Sequence, residues 1–242
     1  MVHPSFPAWL DALSTVSLIV ALICAAIIAV DETARPQHMW IMNLVWPLTA
    51  LFGSVLWLGF YWRWGRGSPR GQGQGRRSMR QDTPMPVAVA KGASHCGAGC
   101  TLGDIVAEWA AFAFPAIPLA LGWKSLFGER MFAVWVLDYL VAFVFGVAFQ
   151  YFTIKPARNL SVKDGIVAAL KSDAASITSW QVGMYGAMAL LQFLWFQRAF
   201  GGVAEVDRPE FWFAMQIAMV CGFCTAYPVN WLLVKAGLKE KM

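Results

Sequence analysis

Trp9 to Val30 reads WLDALSTVSLIVALICAAIIAV, an apolar run in which Asp11 is the one charge. As a helix rising 1.5 Å per residue it is about 33 Å long, close to the hydrocarbon thickness of a bilayer. No Lys or Arg precedes it, and the run is too long for the core of a cleavable leader, so it is expected to stay in the mature chain as an anchor.

Working outward, the same pattern recurs over 39–62, 104–127, 131–154, 173–197 and 211–234. Lipid offers no partner for a free backbone N–H or C=O, so each run is expected to be a helix that closes its own hydrogen bonds. The runs are continuous rather than alternating, which argues against a membrane β-barrel. Composition agrees: of 242 residues 58% are hydrophobic and 14% charged, with 13 Trp and 17 Phe, where a soluble chain carries about 25% charged residues. A disordered chain, a disulfide scaffold and an ordinary soluble enzyme are excluded. The expected fold class is all-α, a polytopic membrane helix bundle of six transmembrane helices, with the lipid bilayer as its first partner.

Charge sets the expected orientation. With six crossings, alternate sides carry fourteen and five of the Lys and Arg residues. The richer side is read as cytoplasmic, which places both termini inside. The same rule accounts for the net charge of +5 without nucleic acid, for which no aromatic-interleaved basic pattern is present. Residues 1–62 are expected to form a two-helix hairpin, 63–93 a flexible Arg/Gly-rich linker on the cytoplasmic side, and 94–242 a four-helix membrane domain. Ser161 to Lys171 reads as an amphipathic stretch lying on the inner membrane surface. Small residues at Ser17, Ala21, Ala25 and Ala29, and at Gly183 and Ala187, mark expected helix contacts. Pro115 and Pro118 are expected to bend the third helix and free carbonyls near Ala111 and Phe114.

The densest local signal is SHCGAGCTLGD, from Ser94 to Asp104. One imidazole, His95, and two thiols, Cys96 and Cys100, fall within six residues. Gly97, Gly99 and Gly103 permit a tight turn, and Thr101 with Asp104 has the spacing of a helix N-cap. A helix start favours thiolate, the form that binds soft metals or attacks disulfides, so copper or zinc is the expected ligand. The alternative is a glycine-rich turn whose cysteines merely pack.

This turn, the run Gln37 to Asn43 and the ending Tyr227-Pro228-Val229-Asn230-Trp231 resemble the domain-of-unknown-function 4396 family of prokaryotic multi-span membrane proteins. The resemblance implies a helical integral membrane protein in a bacterial or archaeal cytoplasmic membrane. It carries no activity and no catalytic residue.

Two further groups stand inside the expected spans. Asp104, Glu108 and Asp138 are charges where lipid makes charge costly, as in an ion or proton route, with Glu108 toward the inside and Asp138 toward the outside. They serve equally as bonds between neighbouring helices. Met184, Met188, Met215, Met219, Cys221 and Cys224 fall at matched depths on the last two helices, as a copper path needs, though Met also fills gaps in apolar cores. The leading expectation is soft-metal binding or transport at His95, Cys96 and Cys100, with a metal donor or acceptor protein as partner. A thiol oxidoreductase and a non-catalytic subunit of a homo-oligomer or membrane complex are the alternatives. No nucleotide-binding or zinc-hydrolase signature is present, and enzymatic activity is left open.

Overall fold

The computed structural model describes residues 5–37, 39–69 and 83–239. It is all-helical, with no strand among the described residues. The elements are α1 (Ala8–Ala34), α2 (Met42–Phe60, continued by a π-helical turn Tyr61–Gly65), α3 (Met85–Ala113), α4 (Ala116–Ala120), α5 (Arg130–Arg158), α6 (Val162–Ala189), α7 (Gln197–Phe200) and α8 (Pro209–Lys235). A π-helical turn, Leu190–Phe196, joins α6 to α7 without a break.

Among the described residues, four segments are long and apolar enough to cross a membrane: Ala8–Ala34, Met42–Gly65, Arg130–Pro156 and Pro209–Lys235. Large apolar side chains such as Leu22, Val144, Val182 and Leu232 point outward. Such an exterior suggests a lipid bilayer environment.

The second of these segments is not a straight rod. Ser54 has φ 47° and ψ −130°, a conformation that reverses a chain and that helices do not contain. Residues 42–53 and 55–65 are two arms of a helical hairpin. Trp46 lies 5.5 Å from Tyr61, and Phe52 lies 5.0 Å from Trp57, ring centroid to centroid. In an uninterrupted helix the first pair would be about 22 Å apart. Gly65 returns to the end at which the hairpin began: its carbonyl accepts from Gln37 Nε2 at 2.9 Å, and Arg66 pairs with Asp31 at 2.6 Å.

Among the described residues five helices therefore run the length of the bundle, α1, α3, α5, α6 and α8, and α2 is re-entrant. The linker face of the bundle holds residues 35–41, 66–69, 159–161 and Lys239. Trp40 against Phe152, and His95 against Thr153, fix α5 and α3 to that end. The mouth face holds Phe6, residues 114–129 and residues 201–208, with Phe6 packed on Phe196 and Phe200. The described chain ends at opposite faces, so the expected six crossings with both termini on one side are corrected. The physical reason is the single reversal at Ser54, which turns one apparent crossing into a return.

α3 is the central helix, packed against α2, α5, α6 and α8. Every residue from Gly92 to Thr101 is buried. Its small residues make this possible, because lipid-embedded helices hold together by close backbone approach rather than by excluding water. A Cβ at Gly99 would meet the Gly146 backbone, and one at Gly103 the Ala142 backbone, both on α5. Gly183 meets Thr225 in the same way between α6 and α8, as the small-residue reading expected.

Three local expectations change. α3 begins at Met85, not at Thr101, so residues 85–93 are helix rather than linker, and Thr101 Oγ1 donates to the Gly97 carbonyl at 2.7 Å inside the helix. Residues 70–82 of the expected linker, and His38, lie outside the described residues. Ser161 caps α6 by accepting from the Asp164 amide, and the stretch after it continues straight into the bundle instead of lying on the surface. Pro115 ends α3 outright rather than bending it.

Candidate polar line along the central helix

Cys96, Cys100, Asp104 and Glu108 are spaced four apart, which sets them on one slowly turning face of α3. Together they extend about 18 Å along the axis. All four are buried. Gly99 and Gly103 on the neighbouring face bring the α5 backbone close to α3 at Gly146 and Ala142.

At the mouth end, Arg130 at the start of α5 pairs with Glu205 at 3.1 Å and donates to the Ala111 carbonyl at 3.0 Å. That carbonyl is one that the break before Pro115 leaves open. Glu108, Glu129, Arg130, Glu205 and Phe211 line a cavity of about 40 Å³ there, enough for a water or two. Glu108 thus sits beside the mouth. Glu108 and Asp138, expected at opposite ends of a route, lie together at this end, because α3 starts nineteen residues earlier than the apolar run implied.

The middle of the line is acidic. The Glu108 and Asp138 carboxyls are neighbours across α3 and α5, with Asp104 one turn deeper, and no hydrogen bond closes between them. Gln181 of α6 faces Asp104 without closing a hydrogen bond. Both oxygens of Asp104, both of Asp138, Glu108 Oε1 and both polar atoms of Gln181 are buried with no partner.

At the linker end each polar side chain closes at least one bond, with one buried atom each of His95, Gln150, Asp173 and Asn230 left over. Lys239 Nζ lies 2.8 Å from Asp173 Oδ1, with both side chains enclosed. His95 Nε2 meets Thr153 Oγ1 at 2.9 Å. Gln150 donates to Ser172 at 3.0 Å and Asn230 to Ser176 at 2.7 Å.

The expected three-ligand site is not assembled. Cys96 and Cys100 face each other, but His95, one residue away on the helix, turns to Thr153 of α5. Among the described residues no group of three or more His, Cys, Asp or Glu is placed to hold a metal ion. The sulfur cluster divides as well. Met184, Met188, Met215 and Met219 pack in the apolar core with Trp180, whose indole N–H donates to Met219 Sδ at 3.3 Å. Cys224 is exposed and Cys221 half-buried, on the outer side of α8.

Sequence reasoning missed Arg130, Glu205, Asp173 and Lys239 as members of this line. Each looked like a charge at the end of a span, and only the tertiary turns bring them inward. Asp173 carried the best signal, a carboxylate eight residues before Gln181 on a helix otherwise rich in small residues.

The fold and the line define a class: an all-helical bundle with an apolar exterior and an enclosed acidic path. Residues 87–239 match the family described as Domain of unknown function (DUF4396), and the chain belongs to that family. The match runs from the third residue of α3 to Lys239, so it encloses the whole polar line and leaves out α1, the re-entrant hairpin and the run Gln37 to Asn43. No curated protein and no solved structure matches the chain.

Proposed function

We propose that this is an integral membrane transport protein that passes protons or small cations along its central helix. The observation that carries the reading is the group of Asp104, Glu108 and Asp138, three buried carboxyls of whose six oxygens five lack a hydrogen-bond partner. Carboxyls that only tied helices together would each have a donor, since a buried carboxylate left unpaired is costly. Groups of this kind inside membrane segments mark ion pathways and proton relays.

Charge supports a direction for the path. Lys124, Arg130, Arg198 and Arg208 stand at the mouth face, and the other ten Lys and Arg among the described residues stand toward the linker face. The linker face is then cytoplasmic and the mouth opens outward. A proton or cation enters between Glu129, Arg130 and Glu205, exchanges onto the Glu108–Asp138 pair, passes to Asp104 and leaves toward Asp173.

The test is flux into proteoliposomes under an imposed membrane potential, read with an enclosed pH dye and with sodium- and potassium-sensitive dyes. Wild-type protein is expected to move protons or one of these cations faster than empty vesicles, with Glu108→Gln and Asp138→Asn falling back toward the empty rate. Wild-type vesicles indistinguishable from empty ones under all three gradients overturn the reading.

A soft-metal reading keeps one supporting observation, the facing Cys96 and Cys100 thiols, since two thiolates suit copper(I). Metal content of the same reduced preparation, beside a Cys96→Ser/Cys100→Ser variant, separates it from the carboxyl reading.

A further inference from the structure

The last described residue is a lysine turned into the bundle. α8 ends at Lys235, Gly237 reverses the chain at φ 70°, and the amides of Leu238 and Lys239 donate to the Leu233 carbonyl at 3.0 and 3.2 Å. The turn carries the Lys239 side chain back between α3, α6 and α8. Its Cε lies 3.6 Å from where a Cβ on Gly92 would stand, so the stem runs alongside the α3 backbone there. Its ammonium meets Asp173 Oδ1 at 2.8 Å, and both side chains are fully enclosed.

The surroundings supply oxygen. Asn230 and Gln150 commit their amide nitrogens to Ser176 and Ser172. Their carbonyl oxygens, Asn230 Oδ1 and Gln150 Oε1, are left buried without donors, and so is Asp173 Oδ2. Asn230 Oδ1 also lies 3.9 Å from the Gly92 position that Lys239 approaches. His95 and Cys100 of α3 are the other titratable groups facing the pair. Of these oxygens the ammonium bonds Asp173 Oδ1 alone; carboxylate and amide oxygens are the donor type of a hard cation, and one carboxylate balances a single positive charge.

We propose that the oxygens around Asp173 form a binding site for a monovalent cation, and that Lys239 is its tethered occupant, closing the linker-face end of the line. The closing role rests on the transport reading above; the binding site does not. When the tail withdraws, sodium or potassium takes the place of the ammonium without changing the net charge of the interior.

The experiment is thermal unfolding of the full chain in detergent, in choline chloride, sodium chloride and potassium chloride at equal concentration. Lys239→Met is expected to unfold below wild type in choline and to recover, saturably, in sodium or potassium. Wild type, whose site is filled, and Asp173→Asn/Lys239→Met, whose site has lost its charge, are expected to show no such difference. The same midpoint for Lys239→Met in all three salts overturns the proposal. So does a Lys239→Met that fails to fold in every salt while the double variant folds. Because the readout is stability, absence of flux in vesicles sinks the transport reading and leaves this result standing.

Discussion

Gly103 and Gly59 are both helical glycines, and what surrounds them gives them opposite prospects. A Cβ on Gly103 would press on the Ala142 backbone, which cannot rotate away, whereas one on Gly59 meets nothing within 4 Å. Gly103→Val is expected to cost about 1–3 kcal/mol or more by prising α3 from α5. Gly59→Ala is expected to be neutral or to add up to about 1 kcal/mol through helix propensity. Thermal unfolding in one detergent compares them, and equal effects would contradict the assigned α3–α5 contact. At the same scale the sequence named most of the acidic line, because a carboxylate inside an apolar run is conspicuous. It placed His95, Cys96 and Cys100 together because they are adjacent in the chain, yet neighbouring positions on a helix differ by about 100° and look at different partners.

Elements divide by how they earn their shape. α1, α5 and α8 were legible to within a few residues, since a long apolar run fixes both helix and length. α3 was not. Four glycines between 92 and 103 lower its intrinsic helix preference and read as a turn. What holds it is the packing of α2, α5, α6 and α8 around its small side chains, information that lies elsewhere in the chain. The hairpin in α2 was hidden for a different reason: hydropathy measures what a segment is made of, and an arm that returns has the composition of one that crosses. Its local sign is Gly53-Ser54, where Ser54 holds a positive φ of 47° that glycine adopts freely. Ser54→Gly is therefore expected to raise stability by about 1–2 kcal/mol, seen as a higher unfolding midpoint. A lower midpoint would argue that the reversal does not sit there.

For the whole molecule, one re-entrant element changes the side on which everything before it lies. The expectation for sealed right-side-out vesicles is an N-terminal tag open to external protease and a C-terminal tag protected. Both tags protected would restore six crossings. Orientation is only partly legible in the sequence because the charge rule depends on the number of crossings, which composition does not give. With a return at Ser54, Arg35 falls on the same side as the later basic loops and the asymmetry is stronger.

The hairpin also imposes an order on the making of the protein. Near its tip the carbonyl of Leu51 is satisfied by the side-chain amide of Gln216, at 2.7 Å, from a residue 165 positions later. Ser17 of α1 donates to the same Gln216 at 2.7 Å. α8 follows α1 and the hairpin in the chain, so these two bonds close only after α8 has been made, and the tip of the hairpin is completed last.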